Sequence, residues 1–145
     1  MNETILRFGY PDTLVADYRH WLVLLRPQQP TLGSLVLAAR GDFTAFSDLP
    51  AEAFAELQRA VSDTETVLRG AVDYAKINYL MLMMVDPHVH MHVIPRYDGV
   101  REACGLSLAD GGWPKLPELG GGVALDPGQI AALREWLRLH WPVAE

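Results

Sequence analysis

Short apolar blocks separated by turn residues fill the N-terminal part of the chain, and an apolar spacing of three and four takes over after Ser47. Thr13-Leu14-Val15-Ala16 and Trp21-Leu22-Val23-Leu24-Leu25 read as two strands around Asp17-Tyr18-Arg19. Residues 1–12 carry no clear pattern, and Gly9-Tyr10-Pro11-Asp12 is a turn. The prolines and glycine between Arg26 and Gly33 make a loop, and Ser34 to Ala39 is a third strand. Ser47-Asp48-Leu49-Pro50 then supplies the start signals of a long helix, a capping oxygen followed by proline. Phe54, Leu57, Val61, Thr64, Leu68 and Ala71 share one face of it, Glu52, Glu56, Arg59, Asp63 and Arg69 lie largely on the other, and Gly70 is a candidate end.

A buried strand follows from Lys76 to Val85, with Met81, Met83 and Met84 as core filler. Past Tyr97 the pattern loosens. The Gly-, Pro- and Asp-rich stretch from Asp98 to Gly122 holds one possible strand near Cys104 to Leu108, and Trp113, Leu116 and Leu119 could anchor it. Asp126-Pro127-Gly128-Gln129 opens a C-terminal helix with a capping-box pattern, and Ile130, Leu133, Trp136 and Leu137 form its apolar face. The order of elements implies an α+β domain with a largely antiparallel sheet.

The segment with most chemistry is Asp86-Pro87-His88-Val89-His90-Met91-His92-Val93-Ile94-Pro95-Arg96. Three of the five histidines alternate there with apolar residues. Read as a strand, the segment puts His88, His90 and His92 in a row on one face and Val89, Met91 and Val93 on the other. Pro87 and Pro95 mark its ends. A single histidine on a strand is usually structural, and His20 and His140 are read so. Three in alternation point instead to a metal site or to phosphoryl chemistry, in which one imidazole attacks phosphorus and its neighbours donate to phosphate oxygens. Alternate Cα atoms on a strand are roughly 6.5–7 Å apart, close enough for three side chains to surround one tetrahedral anion. For a metal, Asp86 is the only close carboxylate, and no Cys or Glu lies nearby.

Composition narrows the partners. A net charge of −6 without a basic run argues against nucleic acid and anionic membranes. The single cysteine, Cys104, excludes an internal disulfide and a zinc-binding cysteine cluster. With no signal-peptide pattern at Met1-Asn2-Glu3-Thr4 and no apolar run long enough to span a bilayer, the expected location is the cytoplasm.

His88-Val89-His90-Met91-His92-Val93-Ile94 resembles the signature of the histidine triad (HIT) superfamily. The Pro95-Arg96 continuation is similar to the fragile histidine triad and dinucleoside polyphosphate hydrolase branches. The resemblance extends over about residues 21–97, with 98–145 as a C-terminal extension of a single 1–145 domain. It implies a HIT-like α+β fold with one long helix and a C-terminal helix, and a homodimer. It further implies nucleotidyl transfer or hydrolysis at an α-phosphate through a covalent nucleotidyl-histidine, with no obligatory metal or cofactor and a nucleotide as partner. By position His90 becomes the nucleophile, with His88 and His92 orienting it and binding phosphate oxygens. Arg26, Ser34, Leu24 and Val36 become candidate substrate contacts. A nucleotide-binding protein with little catalysis, or a metal protein using the row, are the alternatives. Two departures bear on rate. Ser34 stands where the family commonly has a histidine, and Met83-Met84-Val85-Asp86 replaces a Gly-Gln-Ser or Gly-Gln-Thr segment. Asp86 would repel a polyphosphate unless it is paired with Arg26, Arg96 or an imidazolium.

Overall fold

Strands joined by short connections pair with their neighbours, and every strand pair among the described residues is antiparallel. The computed structural model describes residues 1–142. Its five-stranded sheet has the order β1-β2-β4-β6-β5, built from β1 (Leu14–Asp17), β2 (Trp21–Leu25), β4 (Leu35–Ala39), β5 (Lys76–Leu80) and β6 (His90–Arg96). β2 and β4 are buried at every residue, so both faces of the sheet centre are covered. Trp21, Val23, Leu25, Leu35, Leu37 and Val93 face a core completed by α2 (Ala51–Val72) and α3 (Pro127–Arg138). Leu22, Leu24, Val36 and Ala38 face the other way, under Ile5, Phe8 and Tyr10. Trp21 is fully buried, and its indole N–H donates to the Ala53 carbonyl at 2.8 Å, tying α2 to β2.

The N-terminal residues, patternless in sequence, form α1 (Glu3–Arg7), capped by the Asn2 side chain accepting from Ile5 N–H. Asn2 also donates to the carbonyls of Ala39 and Gly41, pinning α1 to the end of β4. Ser47 and Asp48 do not cap α2. They lie in a 3-10 turn, Phe46–Asp48, and the cap position falls to Pro50, which has no side-chain bond to give. The buried face of α2 is Ala53, Ala60, Thr64, Val67, Leu68 and Val72. Phe54 is therefore on the surface, where its ring meets Phe46 at 5.4 Å. Small residues at 53 and 60 let the helix axis approach the sheet, which turns the larger Phe54 outward. α2 runs through Gly70 and ends at Asp73, which takes a left-handed conformation.

β5 stops at Leu80, five residues short of Val85. Met83 adopts a left-handed φ of 48°, which a ladder cannot accommodate, and Met84 and Val85 are exposed rather than core. β6 in turn passes through Pro95 to Arg96, so that proline does not end the strand. The region after Tyr97 is more ordered than its composition suggests. β7 (Val100–Ala103) and β8 (Leu106–Ala109) form a hairpin whose turn, Cys104-Gly105, has positive φ at both residues. Asp110 fastens it by an ion pair to Arg96 at 2.7 Å. Leu116 is exposed and Trp113 only half-buried, so neither anchors the segment as expected. β9 (Val123–Ala124) pairs with β3 (Gln28–Gln29), which brings the extension beside the loop leaving β2. α3 starts as its sequence implies, with Asp126 and Gln129 completing a capping box and Leu133 and Leu137 buried.

Gly33 shows how tight the β3–β4 turn is. It has φ 87°, and a methyl group there would sit 2.9 Å from Val72 Cγ2 and 3.2 Å from Leu68 Cδ2. Only glycine meets both demands, the left-handed backbone and the close approach of α2.

Candidate functional site

The register of β6 places the histidines. His92 lies opposite Val36 and His90 opposite Ala38, and Val36 and Ala38 in turn lie opposite Leu24 and Leu22 of β2. His90 and His92 thus share the face of Leu22, Leu24, Val36 and Ala38, as the alternation requires. Val93 points into the opposite core and Met91 packs against it. The strand begins only at His90, however, so His88 is not a third member of a strand row. It sits in the bend before β6, with its carbonyl turned toward the site.

That bend sets the tautomer of His90. His90 Nδ1 is 2.6 Å from the His88 carbonyl oxygen. A carbonyl can only accept, so Nδ1 carries the hydrogen, and in the neutral ring Nε2 keeps its lone pair. His90 is 2% exposed and His92 7%, yet among the described residues no buried side-chain nitrogen or oxygen lacks a partner. Nε2 of each ring has no protein partner among the described residues, so both atoms open to solvent. The two rings meet edge to face at 5.2 Å. Phe8 lies against both, 5.5 Å from His90 and 5.7 Å from His92.

His88 is held from α1. The Thr4 hydroxyl is 2.9 Å from His88 Nδ1 and accepts from the His88 backbone N–H at 3.3 Å. Arg7, one turn on, pairs with Asp86 at 2.8 Å. The partner of Asp86 is thus neither Arg26, Arg96 nor an imidazolium, and Arg96 is fully committed elsewhere. Thr4, Arg7 and Phe8 escaped the sequence reading because five helical residues show no full period. Asn2 before Glu3, a cap followed by an acidic first turn, was the one available signal.

Arg26 follows β2 directly and donates from Nε to His92 Nδ1 at 3.2 Å. Its Nη1 donates to the carbonyls of Gln28, at 2.7 Å, and Leu119, at 3.1 Å. Leu24 and Val36 lie beside the histidines, but both are fully buried under α1 and Phe8 rather than open at a pocket wall. Ser34 does not join the site. It is fully buried, and its hydroxyl donates to the Thr31 carbonyl at 2.8 Å, so its one hydrogen closes a turn. His20 is half-buried and His140 exposed, both away from the row.

No group of three His, Cys, Asp or Glu among the described residues could hold a metal ion. A guanidinium donating into His92 Nδ1 also occupies the lone pair that a cation would need there. The arrangement instead offers one free imidazole lone pair, on His90, beside N–H donors and a positive charge, which suits an electrophilic centre within an anion. No helix among the described residues is long and apolar enough to cross a membrane.

Residues 11–99 match the model of the HIT domain. The fold is similar to that of a histidine triad protein from Bradyrhizobium japonicum, with a TM-score of 0.73 and 20% identity over 97% of this chain and 96% of that one. A histidine triad protein from Sinorhizobium meliloti superposes with a TM-score of 0.74 and 19% identity, covering 97% of this chain and 95% of its own. A diadenosine triphosphate hydrolase from Plasmodium falciparum, solved with cyclomarin A, gives a TM-score of 0.66 at 10% identity over 90% of this chain and 76% of that one. No curated protein matches the chain in sequence.

Proposed function

Because the chain belongs to the HIT domain family, we propose that it is a nucleotide hydrolase or nucleotidyl transferase working through a covalent nucleotidyl-histidine on His90. The observation that carries this reading is the 2.6 Å bond from His90 Nδ1 to the His88 carbonyl, which leaves Nε2 as a nucleophile open to solvent. His90 Nε2 attacks the α-phosphorus. A nitrogen–phosphorus bond forms as the bond to the leaving group breaks, and the leaving group departs with the electron pair. The His88 carbonyl stabilises the charge that develops on the ring through the Nδ1 hydrogen. Water, or a second acceptor, then attacks the same phosphorus. The nitrogen–phosphorus bond breaks with its electron pair returning to His90 Nε2, the attacking group's proton passes to solvent, and with water the product is the nucleoside monophosphate. His92 and His88 donate to the phosphate oxygens, and Arg26 offers Nη2, which has no protein partner among the described residues.

One structural relative carries a hydrolase name on a dinucleoside polyphosphate, which agrees with a nucleotide as the substrate class. Phe8, half-buried over Leu24 and Val36, supplies an apolar surface beside the row for a base. In the leaving-group region Met84 and Val85 are exposed and apolar, and the Asp86 carboxylate is neutralised by Arg7. With little polar help there, substrates with good leaving groups are turned over fastest. Rapid quenching with a nucleoside phosphoramidate, then mass spectrometry of peptides spanning Val85 to Arg96, is expected to show an acid-labile adduct on His90 from chelator-treated protein. An adduct on His92, or turnover that needs added zinc, would refute the reading.

A homodimer is part of the same proposal. The outer edge of β5 carries no partner strand among the described residues, and its free backbone groups are open to a second copy. Light scattering is expected to give twice the chain mass, and a monomer mass over a wide concentration range would remove the dimer.

A further inference from the structure

Arg26 and His92 are 66 positions apart in sequence and share a hydrogen bond whose direction is determined by chemistry. A guanidinium carries donors only and does not lose its proton in a protein. His92 Nδ1 is therefore the acceptor, and in the neutral ring the hydrogen sits on Nε2. Next to it His90 has the opposite tautomer, imposed by the His88 carbonyl. Two adjacent imidazoles of the same strand face are thus held in complementary forms, one with a free lone pair and one with a free N–H.

Building on the reading of His90 as nucleophile, we propose that Arg26 is a positioning residue that locks His92 as the Nε2–H tautomer, so that His92 meets the phosphate only as a hydrogen-bond donor. The guanidinium is itself held in place. Nη1 is anchored on the carbonyls of Gln28 and Leu119, and the Gln28 amide donates to the Gly121 carbonyl at 2.6 Å. The clamp therefore depends on the C-terminal extension, through the stretch just before β9. Without it the ring could take up either tautomer or a second proton, and a share of the molecules would present no donor or a competing nucleophile.

Protonation of His92 would turn Nδ1 into a donor facing another donor, beside a fixed positive charge. Burial first, then the charge of Arg26 and a lesser effect of His90, push the His92 imidazole down to about 4, against an opposing pull from Asp86. The charged and titratable groups around His92 are Arg26 from the end of β2, His90 from its own strand and Asp86 from the loop before it. α1 presents the Phe8 ring, and its Arg7 is paired with Asp86. The strand neighbours Val36 and Leu80 are apolar.

The test is the nitrogen spectrum of the full chain labelled with 15N-histidine, with signals assigned by single histidine replacements. Two-bond proton–nitrogen correlations are expected to show His92 Nδ1 unprotonated and Nε2 protonated, unchanged as pH is lowered from about 8 to about 5. In Arg26→Ala the ring should exchange between tautomers and take up a proton within that range, while the His20 and His140 signals match those of the unmodified protein at each pH. Turnover of a nucleoside phosphoramidate should fall by roughly tenfold to a hundredfold, with the acid limb of kcat/KM moved to higher pH. Arg26→Lys should recover part of both, because it keeps a charge and a donor. A hydrogen on His92 Nδ1 in the unmodified protein, or an unchanged His92 spectrum in Arg26→Ala, would overturn the proposal. The wild-type spectrum separates the two readings. A locked tautomer in a protein with no nucleotide turnover sinks the function and its use of His92, whereas turnover through His90 with an unlocked His92 sinks only the clamp.

Discussion

His90→Ala is expected to lower nucleotide turnover by at least about a thousandfold and to remove the covalent adduct. The size of the effect follows from the proposed role. The variant loses the only imidazole of the row whose lone pair is both oriented and open, and neither neighbour can replace it. His92 Nδ1 is occupied by Arg26 and its Nε2 carries the hydrogen. His88 lies outside the strand and is bound to Thr4. The ring is nearly buried, so its loss also leaves a gap beside Phe8 and Ala38 and deprives the His88 carbonyl of its donor. A stability loss of about 1–3 kcal/mol follows from that, well short of the effect on rate. His90→Gln, which keeps a polar group of similar reach, should be equally inactive and better folded. His88→Ala and His92→Ala should each retain measurable turnover, since each removes a donor and not the attacking atom. Steady-state kinetics on folded protein, checked by circular dichroism, decides the matter. Residual turnover in His90→Gln within tenfold of the unmodified protein would be incompatible with His90 as nucleophile.

The largest effect on stability is expected from Asp110→Ala, at about 3–5 kcal/mol in urea unfolding. Arg96 and Asp110 are both nearly inaccessible, with side chains 4% and 1% exposed. Asp110 accepts from Arg96 Nε at 2.7 Å and Nη2 at 3.2 Å, and from the backbone N–H groups of Tyr97 and Gly112 at 3.3 and 3.1 Å. Arg96 Nη1 is held by Asn78 Oδ1 at 2.8 Å. Alanine at 110 strands a guanidinium charge in the interior together with two backbone donors. Asp110→Asn keeps an acceptor for those donors and should cost less. A loss below about 1 kcal/mol for Asp110→Ala would mean that water reaches Arg96 once the carboxylate is gone. Because this pair joins the end of β6 to the hairpin, the same variant should loosen the extension. Protease cleavage between Asp98 and Gly122 should then precede global unfolding.

Much of the site was legible in one dimension because a strand converts alternation into facing. His90 and His92 share a face by period alone, and Leu24 and Val36 fall beside them once β2, β4 and β6 pair. The HIT signature assigned roles to those positions. The same reasoning failed at His88, because alternation continues in the sequence one step before the ladder begins. It failed at Ser34 as well, since nothing local shows that the hydroxyl will close its own turn on Thr31.

What the sequence determined by itself is local and periodic: the strands β2 and β4, the capping box of α3 and the histidine face. Each rests on neighbours a few residues apart, where spacing and side-chain chemistry act directly. The rotation of α2 that exposes Phe54 was settled by packing, because the close approach of Ala53 and Ala60 to the sheet outweighs the size of a phenylalanine. Tertiary structure alone decided the rest of the site. Thr4 reaches His88 across 84 residues, Arg7 reaches Asp86 across 79, Arg26 reaches His92 across 66 and Leu119 across 93. Contacts at that separation leave no period in the chain. They arise because a buried donor or charge must find a partner wherever the folded backbone brings one within reach.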